Sequence, residues 1–227
     1  MTTSHVRERK GLRIGVNTFF LQHPNTGSGQ YCARLLDALH QIDGDNSYHL
    51  IAPSQHALPS NWRPPACVVR SAPPGLNRQL AKVWFEQVAI PQVCARERID
   101  LVHYPYFAAP LVCRARVVLT LHDLIPITLE PYRGSFAVRA YSFLVATAAK
   151  RAAGIIADSD FTRRDIVRVL KIPDHRIRVV HLAASENYTA TIDRRFVEAV
   201  RLKYGLDADY VFYLGGLDVR KTVGRLI

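Results

Sequence analysis

An α/β fold built on a parallel sheet is what this sequence predicts, and three observations predict it. Apolar runs of strand length recur along the chain, and amphipathic stretches of helical period stand between them. Loops dense in glycine, proline, asparagine and serine separate the two. There is no internal repeat and no low-complexity segment, so the alternation is strand–helix–strand. That pattern implies a Rossmann-like sheet with helices on both faces.

Residues 1–10 read as a disordered lead. Arg13–Asn17 is a strand-length apolar run, and Leu21–Gly29 a loop rich in Pro, Asn, Gly and Ser. From Gln30 to Ile42 the residues Tyr31, Leu35, Ala38, Leu39 and Ile42 recur at helical spacing, and Gly44 marks the stop. Tyr48–Ala52 and Cys67–Arg70 are strands flanking a proline-rich loop that runs to Pro65. After the loop Ser71–Asn77, Arg78–Arg98 is a long amphipathic helix that Pro91 is expected to kink or split. Asp100–Tyr104 is a strand that ends in the aromatic loop Pro105–Pro110.

Arg116–His122 is the central strand of the reading. It contains Val117–Leu121 and delivers His122 and Asp123 at its C-terminal end, where open α/β sheets collect their ligands. Leu124–Arg133 connects to the long helix Gly134–Ala153, and Gly154–Asp158 is the next strand. Ser159 or Asp160 suits the N-cap of a helix Phe161–Leu170, which Pro173 and Asp174 close. Arg178–Leu182 is a further strand. These elements make a domain over residues 11–187, followed by a linker and basic helix over 188–207. In 208–227 a fresh strand, Asp209–Leu214, turns at Gly215-Gly216, and another helix starts at Thr222. A strand, a turn and a nascent helix bury no core of their own, so this stretch reads as the opening of a second, incomplete domain and the chain as a fragment.

The composition is that of a globular protein, 48% hydrophobic and 22% charged, and no apolar run approaches the roughly 18 residues that span a bilayer. The polar, basic N-terminus has no signal-peptide core, which points to the cytoplasm. Four widely spaced cysteines without a CxxC pair read as small buried hydrophobes in a reducing compartment. A net charge of +11 suits an anionic partner. The basic residues are scattered, with no RGG tract or lysine run, so no specific nucleic-acid partner is expected.

The loop Thr26-Gly27-Ser28-Gly29, set before a helix, can present backbone N–H groups to a phosphate or can simply turn the chain. As a dinucleotide fingerprint it fails: Cys32 stands where the third glycine belongs, and the second strand ends in Ala52-Pro53 without an acid for a ribose. Gly215-Gly216 with Arg220 and Lys221 repeats the idea. Cations at the entrance of a helix oppose its dipole; either an anion is held between them and the amides, the simplest explanation of the violation, or they are two solvated surface charges. His122 is either a structural strand-end histidine or a group that handles protons and charged oxygens, with Asp123 orienting it or capping the next loop. Asp207-Ala208-Asp209 has the form of a metal-and-diphosphate DxD, but it lies before a strand, where turn capping explains it better, and Asp158-Ser159-Asp160 reads as a helix cap. The helix Gly134–Ala153 has basic ends and an aromatic stripe, which face either the core or a membrane surface.

Taken in order, RIGVNTFF, TGSGQYCARLLDAL, VVLTLHDLIPI, GIIADSDFTRRDI and YVFYLGGLDVRKTVGRLI resemble the retaining, GT-B-fold glycosyltransferases of family 4. The resemblance implies two Rossmann-like domains facing a cleft, with a nucleotide-diphosphate sugar as co-substrate, a saccharide or lipid-linked acceptor, and no metal or other cofactor. It implies that Gly27, Ser28 and Gly29 approach the donor diphosphate and that His122 sits near the transferred sugar, with Asp123, Gly215 and Gly216 in support. Arg220 and Lys221 would neutralise the leaving diphosphate in place of a metal ion. The basic charge would suit that donor and an acceptor at the inner membrane face. Thr222 departs from the family's usual asparagine, and no glutamate is followed by another eight positions later, so the family's E-x7-E pair is missing. The competing expectation is a non-catalytic remnant, or one chain of a split enzyme whose second domain comes from another chain.

Overall fold

The computed structural model describes residues 11–54, 66–69 (backbone only), 71–185, 188, 193–216, 218 and 221–225. The chain divides into two compact bodies, Met1–Leu182 and Ala183–Ile227. The expected lead over 1–10, the proline-rich loop and Arg220 lie outside the described residues.

The first body is α/β and Rossmann-like. Among the described residues its strands are β1 (Arg13–Asn17), β2 (Ser47–Ala52), β3 (Ala66–Val69), β4 (Leu101–Tyr104), β5 (Arg116–Leu121), β6 (Gly154–Ala157) and β7 (Ile177–Val179). They lie in the order β3-β2-β1-β4-β5-β6-β7, and every pairing is parallel. The direction of travel across the sheet reverses between β1 and β4, which opens a crevice at their carboxyl ends.

The two faces follow from the alternation of side chains along each strand. On β2, Leu50 packs with Val16 and with Cys32 and Leu36 of α1 (Gly27–Ile42). Its neighbour Ile51 joins the larger core on the opposite face, with Phe85, Ile90, Val102, Leu119 and Leu121. Residues buried on both faces explain why these strands read as nearly unbroken apolar runs. Each such aliphatic side chain contributes about 1.5–3 kcal/mol on burial.

Four local readings change. A 3-10 turn, Phe19–Gln22, overlaps the start of the expected loop Leu21–Gly29, and α1 starts at Gly27 rather than Gln30. The Thr26 hydroxyl accepts the Gly29 N–H at 3.1 Å and so caps the helix three residues early. Gly29 is required there, because a Cβ would stand 2.2 Å from the His23 carbonyl oxygen. Pro91 does not split its helix. α2 (Arg78–Trp84) runs through a π-helical segment, Phe85–Ala89, into α3 (Ile90–Arg96). The widened turn, in which the Ile90 N–H donates to the Phe85 carbonyl, accommodates a residue that lacks an N–H and crowds the carbonyl before it.

The connection after His122 is not plain loop. It forms α4 (Ile125–Thr128) and α5 (Glu130–Arg133) ahead of α6 (Phe136–Ala149). Ser159 is the N-cap of α7 (Asp160–Asp165), which continues as a π-helical segment, Ile166–Leu170.

In the second body α8 (Arg194–Tyr204) is capped by Asp193 and stopped by left-handed Gly205. The expected strand Asp209–Leu214 is not a strand. Among the described residues of this body no second strand offers it a ladder, and Val211, Phe212 and Leu214 are exposed. The helix expected from Thr222 is a 3-10 turn, Val223–Arg225.

Candidate active site

His122 stands one residue beyond β5. Leu121 pairs with Ala157 in the parallel register, so the next residue on each strand, His122 and Asp158, face each other across the sheet edge. His122 Nδ1 lies 2.6 Å from Asp158 Oδ2, and a carboxylate oxygen can only accept, so this nitrogen carries a hydrogen. Nε2 reaches the Pro105 carbonyl at a long 3.3 Å. The backbone is fixed as well: Thr162, in the first turn of α7, donates its hydroxyl to the His122 carbonyl at 3.1 Å. The other Asp158 oxygen, Oδ1, is buried without a hydrogen-bond partner among the described residues.

A polar chain leads inward from this pair. The Tyr31 ring meets His122 edge-on at 4.7 Å, and its hydroxyl lies 3.2 Å from Thr120 Oγ1. Thr120 is also 2.9 Å from His103 Nε2. Burial, and then the nearby His122, push the His103 imidazole down to about 4, so it is neutral at physiological pH. Burial likewise raises the Tyr31 phenol. The imidazole of His122 is therefore met by Asp158, just beyond β6, by the Pro105 carbonyl and by Tyr31 of α1, while Thr162 of α7 holds its backbone.

Gly27, Ser28 and Gly29 form the first turn of the helix whose Tyr31 touches His122. The sheet thus brings the glycine turn and the histidine to one edge. The Gly29 N–H is taken by Thr26, while Gly27 and Ser28 occupy positions whose amides have no intrahelical acceptor. Asp123 Oδ1 accepts the Ile125 N–H at 3.0 Å and caps the next turn. Asp158, read as part of a helix cap, is the residue that orients His122. In the second body Gly215 has φ +157°, and the Tyr213 hydroxyl donates to the Gly216 carbonyl at 2.8 Å and closes that turn. Lys221 is exposed, with its N–H on the Asp218 carbonyl at 2.8 Å. Among the described residues no three His, Cys, Asp or Glu side chains gather as a metal site.

A second polar cluster, absent from the sequence reading, sits beside the crevice between β1 and β4. Glu86 lies in the π-helical turn and is fully buried. Its Oε1 accepts from the Tyr106 hydroxyl at 2.8 Å and from Lys82 Nζ at 2.7 Å, and its Oε2 from the Tyr141 hydroxyl at 2.8 Å. Asn17, at the end of β1, donates to the Tyr106 oxygen at 2.7 Å. The Lys82 ammonium lies over the rings of Phe19, Tyr106 and Tyr141, 4.4 Å from the last. Beside it a groove of about 440 Å³ runs between α2 and α6, walled by Leu80, Val83, Val138, Tyr141 and Leu144. No helix among the described residues is long and apolar enough to cross a membrane.

The chain is similar to known proteins in sequence and in fold. The sequence profile of Glycosyltransferase Family 4 matches residues 25–185. The chain is 29% identical over 128 residues to the O-antigen chain mannosyltransferase B of Escherichia coli, a match covering 56% of this chain and 33% of that protein. Its fold is similar to that of Anabaena HepE solved with UDP, at a TM-score of 0.51 and 15% identity over 86% of this chain and 50% of that one. The HepE complex with UDP-glucose gives 0.53 at 14% identity, with the same coverage of 86% and 50%. The chain thus spans a third to a half of the length of these relatives.

Proposed function

The chain belongs to glycosyltransferase family 4, and from that premise we propose that it transfers a sugar from a nucleotide-diphosphate sugar to a saccharide or lipid-linked acceptor, with retention, in bacterial polysaccharide or glycoconjugate synthesis. The observation that carries the proposal is the His122–Asp158 pair, held at the carboxyl edge of the sheet beside the glycine turn of α1. The UDP and UDP-glucose held by HepE support a nucleotide-sugar donor, and the O-antigen mannosyltransferase supports a polysaccharide product.

In this reading His122 turns its Nε2 edge to a hydroxyl of the transferred sugar. Its 3.3 Å contact with Pro105 is the weaker of its two and the one a ligand replaces. Asp158 fixes the orientation of the ring while negative charge grows on the leaving diphosphate. The amides of Gly27 and Ser28 face the same developing charge. In the second body, Arg220 and Lys221 are the cations proposed to act on the donor diphosphate, with Gly215 and Gly216 in support, and no metal or other cofactor is proposed. The apolar groove between α2 and α6, beside the Lys82 ammonium, suits the hydrocarbon of a lipid-linked acceptor presented at the cytoplasmic membrane face.

The test is transfer of labelled sugar from a panel of UDP- and GDP-sugars to saccharide and polyprenyl-diphosphate saccharide acceptors, with the product anomer read by NMR. His122→Ala is expected to abolish transfer. Lys221→Ala is expected to reduce it on the order of a hundredfold, whereas Lys203→Ala on α8 leaves it close to the parent. Equal effects of the two lysines overturn the diphosphate role. Donor binding without transfer favours a binding module completed by another chain.

A further inference from the structure

We propose that a cavity of about 350 Å³ between α4, α5, α6 and the π-helical segment Ile166–Leu170 is a binding site for a phosphate ester. Three cations stand in its wall, Arg133 from α5 and Arg139 and Lys150 from α6. Among the described residues no carboxylate shares that wall, and Ile127, Phe143 and Leu170 supply apolar surface beside the cations. The volume suits a small organic anion. The wall contains no member of the His122–Asp158 pair or of the Glu86 cluster, so the site is distinct from both.

Ser142 carries the argument furthest. It lines the cavity from α6 and is only 6% exposed, yet its Oγ has no hydrogen-bond partner among the described residues. A buried hydroxyl in that state is costly, and a helical serine or threonine ordinarily returns its hydrogen to the carbonyl one turn back. Thr147 on the same helix does so, donating to the Phe143 carbonyl at 2.8 Å. Ser142 keeps its O–H for a group that enters the cavity.

The cations are unspent as well. Arg163 pairs with Asp160 and Asp174, and Arg168 with Asp165, whereas among the described residues Arg139 and Lys150 form no ion pair. Arg133 donates its Nε to the Ile127 carbonyl at 3.1 Å, which fixes the guanidinium and leaves its outer N–H groups for a second acceptor. Guanidinium, ammonium and hydroxyl donors in one wall match an oxyanion with several acceptor oxygens, as a phosphate ester has. The aromatic stripe expected on this helix divides accordingly. Tyr141 turns to Glu86, whereas Phe143 is exposed at the cavity and covers the organic part of the ester. Soluble phosphate esters and phospholipid headgroups share this chemistry. Since α4 begins three residues after His122, a bound ester rests on the connection that leaves the candidate active site.

The test titrates the full chain with glycerol 3-phosphate by calorimetry and sediments it with phosphatidylcholine vesicles, with and without phosphatidylglycerol. Saturable binding of glycerol 3-phosphate assigns a soluble ester, and binding that appears only with phosphatidylglycerol assigns a lipid headgroup. Arg139→Ala is expected to weaken the binding on the order of tenfold, the effect of a hydrogen bond to a charged group, and Ser142→Ala about threefold. Arg164→Ala on α7, outside the cavity wall, removes the same charge and is expected to stay within about twofold of the parent. Both arginines are exposed, so these variants keep the fold. Three results overturn the proposal: no binding of glycerol 3-phosphate together with no preference for phosphatidylglycerol, equal losses in Arg139→Ala and Arg164→Ala, or unchanged affinity in Ser142→Ala. No donor or acceptor sugar enters the assay, so its outcome is read apart from transfer.

Discussion

Asp158 and Glu86 are both carboxylates near the carboxyl edge of one sheet, and they are treated in opposite ways. Glu86 is sealed and fully used, with Lys82, Tyr106 and Tyr141 on its two oxygens. Asp158 spends one oxygen on His122 and leaves the other without a partner among the described residues. A buried charge with every hydrogen bond made is an anchor, and removing one partner strands the rest. A carboxylate with an idle oxygen, bonded to an imidazole whose second contact is long, is a place where a ligand can enter. The first cluster should therefore govern stability and the second should govern chemistry.

The sharpest break of that comparison is Glu86→Ala. It leaves the ammonium of Lys82 and two buried phenols without their acceptor, and it should destabilise the protein by about 3–5 kcal/mol, read by urea denaturation. Glu86→Gln keeps the shape and two acceptor sites on one oxygen, and should cost less. If Glu86→Ala unfolds at the parent midpoint, the anchor reading is wrong.

Acid sharpens the comparison from the other cluster. His103 stays neutral in the folded chain down to about pH 4, whereas an unfolded histidine takes a proton near 6.5. Between those values the unfolded state binds the additional proton, so stability is full above the unfolded value and declines as pH falls through the window. By pH 4 the loss from His103 alone is about 3 kcal/mol. His49, also lowered by burial, contributes in the same direction. His103→Gln should flatten the dependence of the urea midpoint on pH between 7 and about 4. An unchanged slope would show that His103 does not resist protonation.

The glycine turn gives a smaller, internally controlled effect. A methyl at Gly29 meets the His23 carbonyl oxygen at 2.2 Å, while one at Gly27 meets nothing within 4 Å. Gly29→Ala should cost about 2 kcal/mol, and Gly27→Ala less than about 0.5 kcal/mol, both by thermal denaturation. Similar costs at the two positions would mean that α1 does not start where Thr26 caps it.

Which parts were legible follows from the range of the interactions that make them. β5 could be read because Val117–Leu121 is apolar on both faces and the strands beside it are too. Tyr210–Leu214 has the same texture, but strand is a property of a pair, and no described neighbour pairs with it. His122 stood out by its position at a strand end. Asp158 did not, because Ser159 and Asp160 after it supplied a sufficient local explanation; only the β5–β6 register reveals that it faces His122. That register was in principle available, since both apolar runs end on the residue in question. Glu86 had no local signal: on an amphipathic helix a glutamate reads as solvated, and its burial is set by hydroxyls 20 and 55 residues away.

Asp158→Asn is the gentlest change to the fold and the most direct probe of the chemistry. An asparagine oxygen still accepts the His122 N–H, so stability should shift by less than about 1 kcal/mol. What it loses is the negative charge beside the imidazole, together with the acceptor oxygen now standing idle. Transfer should fall roughly tenfold to hundredfold, the range of a hydrogen bond to a charged partner. That fall should appear in kcat more than in the donor KM, because the charge matters most as the diphosphate departs. The measurement pairs a denaturation midpoint with steady-state transfer kinetics on the same preparation. A large loss of stability with intact transfer would exchange the roles of the two carboxylates.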